Sequence, residues 1–299
     1  FLGCGWYVQR KDDTDRPVCL RATIVIYAAS IYKILNPFPL DMLFLIHLCT
    51  SSHSEKVYVS VYCSNKEGVG RLLNIAHRGA SGEGLAPENT LAAFRLAMEI
   101  GADLVELDVH RSKDGRIVVI HDDSLDRTTD RSGKIKDLRV GDIIGADAGA
   151  GERVPLLVEA LDMMRDRTIV LVEIKPNDIT ADVIQQIRDA EAQDYVVIQS
   201  FHPEVVVESF ALAPGIPRGQ LIGSGEDLSD RTISVGAGVV VPSYHLLDEQ
   251  TIHDIRLHGL GLWTYTVDDE TEMRRLIDLG VDGIITNYPD RLKAVISDD

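Results

Sequence analysis

Glu106 and Asp108 stand two apart in the apolar run 104–109, so in an extended chain both carboxylates project from one face. His77 and Arg78 directly follow the short apolar run 74–76. His121 and Asp122 close another, 117–120, which leaves a Lys113-Asp114-Gly115 hairpin turn. A further acid, Glu173, comes at the end of the apolar run 168–174, and Lys175, two along, shares its face. Paired carboxylates with imidazoles near the same end form a site for metal-assisted acid–base chemistry.

Bare carboxylates about 4 Å apart repel by roughly 4 kcal/mol at an effective dielectric near 20. Convergence of Glu106, Asp108 and Glu173 therefore requires a cation or a raised pKa, the alternative being structural ion pairs with Lys175 or a nearby arginine. Oxygen-only ligands favour one hard divalent ion, Mg²⁺ or Ca²⁺, and argue against structural zinc. His77 and His121 carry imidazoles, which serve as acid or base near neutral pH. Asn89 reads as a cap for the helix that follows it. Glu88 is open between partner of His77 or Arg78 and direct metal ligand, and His110 reads as a rim residue.

From residue 74 onward, apolar runs alternate with amphipathic stretches, the pattern of parallel strands joined by crossover helices. Strands are expected at 74–77, 104–109, 168–174, 195–200, 217–222, 238–241, 260–266 and 282–286. Helices are expected at 90–100, 156–165, 180–192 and 270–279. Eight strands with intervening helices predict an α/β protein, a (β/α)8 TIM barrel, with 117–120 as a hairpin strand near the barrel mouth. An alternative count makes 117–120 a barrel strand and demotes 217–222. Polar residues at the C-terminal ends of many strands favour a barrel over a doubly wound sheet, as does the lack of a G-x-G-x-x-G turn. Ser200, Phe201, Trp263 and Asn287 come at later strand ends and are expected to line the pocket.

All four cysteines precede residue 64, and none has C-x-x-C spacing. Residues 1–72 carry eight Lys/Arg and six Asp/Glu, whereas the remainder carries 22 against 41, in a chain of net charge −17. Such acidity argues against a nucleic-acid partner. The expected division is an N-terminal segment, 1–72, without assigned function and a catalytic domain, 73–299. The apolar stretches within 22–49 are too short to span a bilayer as helices, but they leave membrane association open as a reading.

H-R-G (77–79), P-E-N-T (87–90), E-L-D (106–108) and H-D (121–122), in this order and spacing, resemble the glycerophosphodiester phosphodiesterase family. The match continues through D-R-T-T (126–129), V-P-L-L-V-E-A-L (154–161), E-I-K (173–175), Q-S-F (199–201), W-T-Y-T-V (263–267) and G-I-I-T-N-Y-P (283–289). The resemblance covers about 74–295. It implies divalent-metal-dependent hydrolysis of a small glycerophosphodiester to glycerol 3-phosphate and an alcohol, with Glu106, Asp108 and Glu173 as metal ligands.

The resemblance further implies that His77 and His121 are the catalytic acid–base pair, which is which left open. Arg78 and Lys175 would contact phosphate, and Trp263 would form an apolar wall, with Glu88 and Asn89 behind them. A neighbouring glycerol hydroxyl is implied as first nucleophile, giving a cyclic phosphate that water opens. The short insert between His121 and Val154 is that of the family's compact members, which implies a cytoplasmic enzyme. The rival readings are a membrane-facing lysophospholipase D or phosphoinositide-type phosphodiesterase, and a non-catalytic barrel that binds phosphorylated ligands. Oligomeric state is not legible.

Overall fold

The computed structural model describes residues 71–298 and, in the N-terminal segment, three strands: β1 (Ala22–Ile24), β2 (Met42–Thr50) and β3 (Val57–Asn65). The chain divides into two compact units, Phe1–Arg71 and Leu72–Asp299. In the first, β2 pairs antiparallel with both β1 and β3. The apolar stretch from residue 42 is thus strand, while residues 25–41 of the proposed membrane-associating region lie outside the described residues. Among the described residues no helix is long and apolar enough to cross a membrane.

The second unit opens with β4 (Leu73–Ala76), α1 (Leu91–Ile100), β5 (Leu104–Arg111) and β6 (Ile117–Val119). A short helix α2 (Val140–Ile144) precedes α3 (Leu157–Met164), β7 (Ile169–Ile174), α4 (Thr180–Asp189), β8 (Val196–Ser200) and α5 (Pro203–Leu212). Then come β9 (Arg218–Ile222), α6 (Leu228–Ser234), β10 (Val239–Pro242), α7 (Glu249–Leu257), β11 (Gly261–Thr264), α8 (Glu270–Leu279), β12 (Gly283–Thr286) and α9 (Pro289–Asp298). The strands other than β6 pair in parallel in the order β4-β5-β7-β8-β9-β10-β11-β12, and β12 closes on β4. The predicted eight-stranded barrel is therefore present, with β6 added antiparallel to β5 as the expected hairpin.

Period-two alternation sorts each strand into an inner and an outer set. The inner set packs one residue from each barrel strand into a single plug: Ile75, Leu104, Leu171, Val197, Leu221, Val241, Trp263 and Ile285. The outer set, including Val105, Leu107, Val170, Val172 and Ile198, packs on the helices. Barrel interiors are filled in such layers, and the next inward position along each strand opens at the C-terminal mouth. Two steps on from the plug lie His77, Glu106, Glu173, Gln199, Gly223, Ser243, Tyr265 and Asn287. The site's composition follows from this parity.

Residues 120–155 carry a small apolar cluster of their own, Ile120, Leu125, Ile135, Ile143, Ala146, Ala148 and Val154, joined by Val118 of β6. This compact lobe holds Asp122 and Arg127 near the mouth without adding a separate domain.

Candidate active site

Glu106 and Asp108 of β5 and Glu173 of β7 are 1%, 0% and 7% exposed, and each offers a ligand atom within 4.8 Å of the other two. Parallel pairing sets Asp108 directly beside Glu173. Glu106 accepts from the Arg78 N–H through Oε2 (2.9 Å), whereas its buried Oε1 has no hydrogen bond. Asp108 Oδ1 also has none, with Lys175 Nζ 3.5 Å away. Orphaned carboxylate oxygens at this depth fit a divalent cation, and all three donors are hard oxygens.

The electrostatics agree. Burial, then the charges of Asp108 and Glu173, push the Glu106 carboxyl well above its ordinary range. Burial and the Asp108 charge raise Glu173 to about 7. For Asp108 burial works upward, but Lys175 and Arg78 outweigh it and hold the group low. Three acids therefore share too few protein cations.

The sign of the resulting pH dependence follows. A carboxyl raised from 4.5 to about 7 contributes stability that is complete below 4.5 and lost as pH rises through 7. A divalent ion takes the place of the proton. The rise in melting temperature on adding Mg²⁺ or Ca²⁺ to chelator-treated protein is accordingly expected to be larger at pH 8 than at pH 5. An increment that is flat or falls with pH would contradict a metal site built on Glu173.

His77 follows β4, and its Nδ1 lies 2.7 Å from Asn287 Oδ1 at the end of β12. Asn287 donates its Nδ2 to Asp268 (2.7 Å), so its Oδ1 is an acceptor and His77 Nδ1 carries the proton. Nε2 is left as the basic nitrogen. Burial and then the Arg78 charge lower His77 to about 4, which keeps it neutral at physiological pH. His121 Nδ1 meets Asp122 Oδ1 at 2.7 Å, which likewise leaves Nε2 for chemistry. Both imidazoles lie within electrostatic reach of Asp108.

A charged chain braces these groups. Arg127 grips Asp122 at 2.7 Å and Glu88 at 2.8 Å, and Glu88 holds Arg78 at 2.9 Å. Arg78 in turn lies 3.4 Å from Asp108. Lys175 pairs with Glu173 at 2.7 Å. Glu88 thus lies behind Arg78 and outside the metal-ligand cluster. Arg78 has φ 57°, and the adjacent Gly79 has φ 83°. A Cβ on Gly79 would lie 2.6 Å from the Ala93 backbone, so the H-R-G turn admits no other residue there.

Four expectations need correction. Asn89 does not cap α1. Thr90 does, accepting from the Ala93 N–H, while Asn89 clamps Asp108 by donating Nδ2 to Oδ2 (2.9 Å) and accepting the Asp108 N–H (3.2 Å). Asn89 reaches it from φ 57°, a left-handed conformation that asparagine tolerates. Trp263 is 8% exposed and belongs to the apolar plug, one inward step below the mouth, so Tyr265 rather than Trp263 reaches the rim. Ser200 and His110 are buried: Ser200 has outward parity and bonds the Ile174 carbonyl (2.7 Å), and His110 Nε2 meets the His121 carbonyl (3.0 Å).

Asn89→Ala removes both bonds to Asp108, and a loss of about 2–3 kcal/mol of stability is expected. Activity should fall by about 10- to 100-fold, the usual effect of loosening a group behind a metal ligand. Asn89→Gly, which relieves the backbone strain, should recover part of the stability in denaturant titrations but none of the activity.

Arg127, Asp268 and Tyr265 were not assigned roles from sequence. Arg127 stood inside D-R-T-T, and Tyr265 two residues past a plug tryptophan, a step of two that marks it as inward-facing.

Three buried acids with two imidazoles nearby, at the mouth of a TIM barrel, fit the site of a metal-assisted hydrolase. The family model of the glycerophosphoryl diester phosphodiesterase family matches residues 77–291. A glycerophosphodiester phosphodiesterase of Bacillus subtilis (strain 168) is 37% identical over 254 residues, 74% of this chain and 85% of that protein. Another, from Caldanaerobacter subterraneus, is 37% identical over 236 residues, covering 74% and 96%. An Oleispira antarctica phosphodiesterase, solved with its product sn-glycerol-3-phosphate, superposes with a TM-score of 0.71 at 31% identity, covering 75% of this chain and 96% of that one. The chain belongs to the glycerophosphoryl diester phosphodiesterase family, in its compact form, and its reaction is the hydrolysis of glycerophosphodiesters.

Proposed function

We propose that residues 73–299 form the catalytic domain and that Glu106, Asp108 and Glu173 hold one hard divalent ion, Mg²⁺ or Ca²⁺. The observation that carries this is the buried acid cluster with two unbonded carboxylate oxygens. Such an ion, when bound, would polarise the phosphoryl group and offset its charge. Arg78 and Lys175, both within 3.5 Å of Asp108, place cations where the substrate phosphate would meet the acids. Both are already paired with acids, so the phosphate would share rather than replace these contacts.

His77 is assigned as general base. Its neutral amide partner fixes the Nδ1–H tautomer, and its lowered basicity keeps Nε2 free to accept a proton from the attacking hydroxyl. His121 is assigned as general acid. Its Nδ1–H is backed by the Asp122 carboxylate, itself anchored by Arg127, an arrangement that fixes the ring and leaves Nε2 to serve the leaving alkoxide. The products are glycerol 3-phosphate and an alcohol, the former being the ligand of the Oleispira antarctica structure. A vicinal glycerol hydroxyl is the first nucleophile in this scheme: it displaces the alcohol, which takes its proton from His121, and water then opens the resulting cyclic phosphate to glycerol 3-phosphate. Cytoplasmic location belongs to the same proposal.

The test is a panel of glycerophospho-alcohols assayed after chelation and on return of each ion. Activity is expected to depend on the ion and on a free vicinal hydroxyl. Equal turnover of a 2-deoxy analogue would reject the intramolecular route, and full activity in chelator would reject the metal assignment.

A further inference from the structure

The D-R-T-T run (126–129) lies in the lobe and contributes neither a member of the acid cluster nor an imidazole. Its residues and their neighbours build a turn. Leu125 is buried among the lobe's apolar residues, and its N–H bonds the Gly133 carbonyl (3.0 Å). Asp126 accepts from the Gly133 N–H (3.3 Å), and the Thr129 N–H returns to the Leu125 carbonyl (3.1 Å). Between these fastenings Arg127 reaches the mouth.

There one guanidinium holds two carboxylates at once. Its Nε and Nη2 donate to the two oxygens of Asp122 at 2.7 and 3.0 Å. Its Nη1 and Nη2 donate to the two oxygens of Glu88, both at 2.8 Å. Each carboxylate is shared with a second group: Asp122 Oδ1 with His121 Nδ1 (2.7 Å), and Glu88 Oε1 with Arg78 Nη1 (2.9 Å). Two groups that follow different strands are thereby joined through one side chain of the lobe. The planar fork makes this possible, since each of two edges matches a carboxylate, whereas a lysine ammonium is a point charge. The side chain is about half exposed, so these pairs add little to stability, and what they fix is geometry. A reacting group displaced by about 1 Å can cost on the order of 100-fold in rate.

We infer that Arg127 is a positioning residue that ties the His121–Asp122 pair to Arg78, holding the proton donor and the phosphate contact at one separation. This rests on the roles proposed above for His121 and Arg78.

The test is kinetic, on the whole chain with Mg²⁺, using glycerophosphoethanol and a glycerophospho-4-nitrophenyl ester. Arg127→Met is expected to melt within about 3 °C of the parent. On glycerophosphoethanol it should lose about 10- to 100-fold in kcat/KM. Arg127→Lys, which restores the charge without the fork, should recover only a small part of that loss. On the 4-nitrophenyl ester the Arg127→Met loss should be smaller, because the share that acts through His121 drops out. Asp122→Asn and Glu88→Gln together should lose about 5-fold less than the product of their separate losses, and this coupling should vanish in the Arg127→Met background. Full activity in Arg127→Met or Arg127→Lys, or losses that multiply while Arg127 is present, would overturn the inference. So would an equal Arg127→Met loss on both esters, provided that His121→Ala loses less on the 4-nitrophenyl one. If His121→Ala also loses equally on both, the acid assignment falls and the inference with it.

Discussion

Glu106→Gln is expected to remove activity and, in the same protein, to raise the stability of the metal-free form. The two effects share one cause. Glu106 is 1% exposed and clustered with Asp108 and Glu173, and its carboxyl resists ionisation because burial and the charges of those two acids outweigh the pull of Arg78. The neutral amide still accepts from the Arg78 N–H, the bond that Glu106 Oε2 makes now, but adds no charge to the cluster. Relief of that repulsion should stabilise the metal-free protein by on the order of 1–2 kcal/mol at pH 8. Transition-state charge stabilisation by a bound ion is worth several kcal/mol, so kcat/KM should drop by roughly 1000-fold or more. Thermal melts in chelator and initial rates with Mg²⁺ or Ca²⁺ measure the two halves. A variant that melts lower than the parent yet keeps its ion-dependent activity would show that Glu106 is a structural acid.

Removal of either imidazole is the second large effect. His77→Ala and His121→Ala should each lose about 10²- to 10⁴-fold on a glycerophospho-alcohol, the range for a positioned acid or base. The leaving group separates them. A 4-nitrophenolate departs without being protonated, so on a glycerophospho-4-nitrophenyl ester the His121→Ala loss should shrink to about 10-fold or less. His77→Ala should stay as impaired as before, because the attacking hydroxyl still has to give up its proton. The opposite pattern would exchange the roles, and equal losses on both substrates in both variants would dissolve the assignment.

Much of this site is readable from the chain because a β-strand has a strict period. Glu106 and Asp108, or Glu173 and Lys175, two apart in apolar runs, must share a face, and apolar neighbours of the opposite parity must pack under helices. The barrel strands appear within a few residues of the expected runs for the same reason: buried parallel strands are apolar on both faces and end where polar residues begin. The hairpin of β6 was marked by its turn.

Height along the barrel axis was not readable. Trp263 and Tyr265 have the same parity, and which of the two is plug and which is rim depends on how the staggered strands meet across the barrel. The partners of side chains carried on loops were hidden likewise. Asn89 looks like a helix cap from its position before Leu91, but the turn through Arg78 and Gly79 brings it back against Asp108, 19 residues away. Asn287 and Asp268 reach His77 only because β12 closes on β4. Residue types and spacing along each strand are local properties, set by backbone geometry. Which strand ends face each other, and at what level, follows from closure of the whole sheet, which no single stretch of the chain encodes.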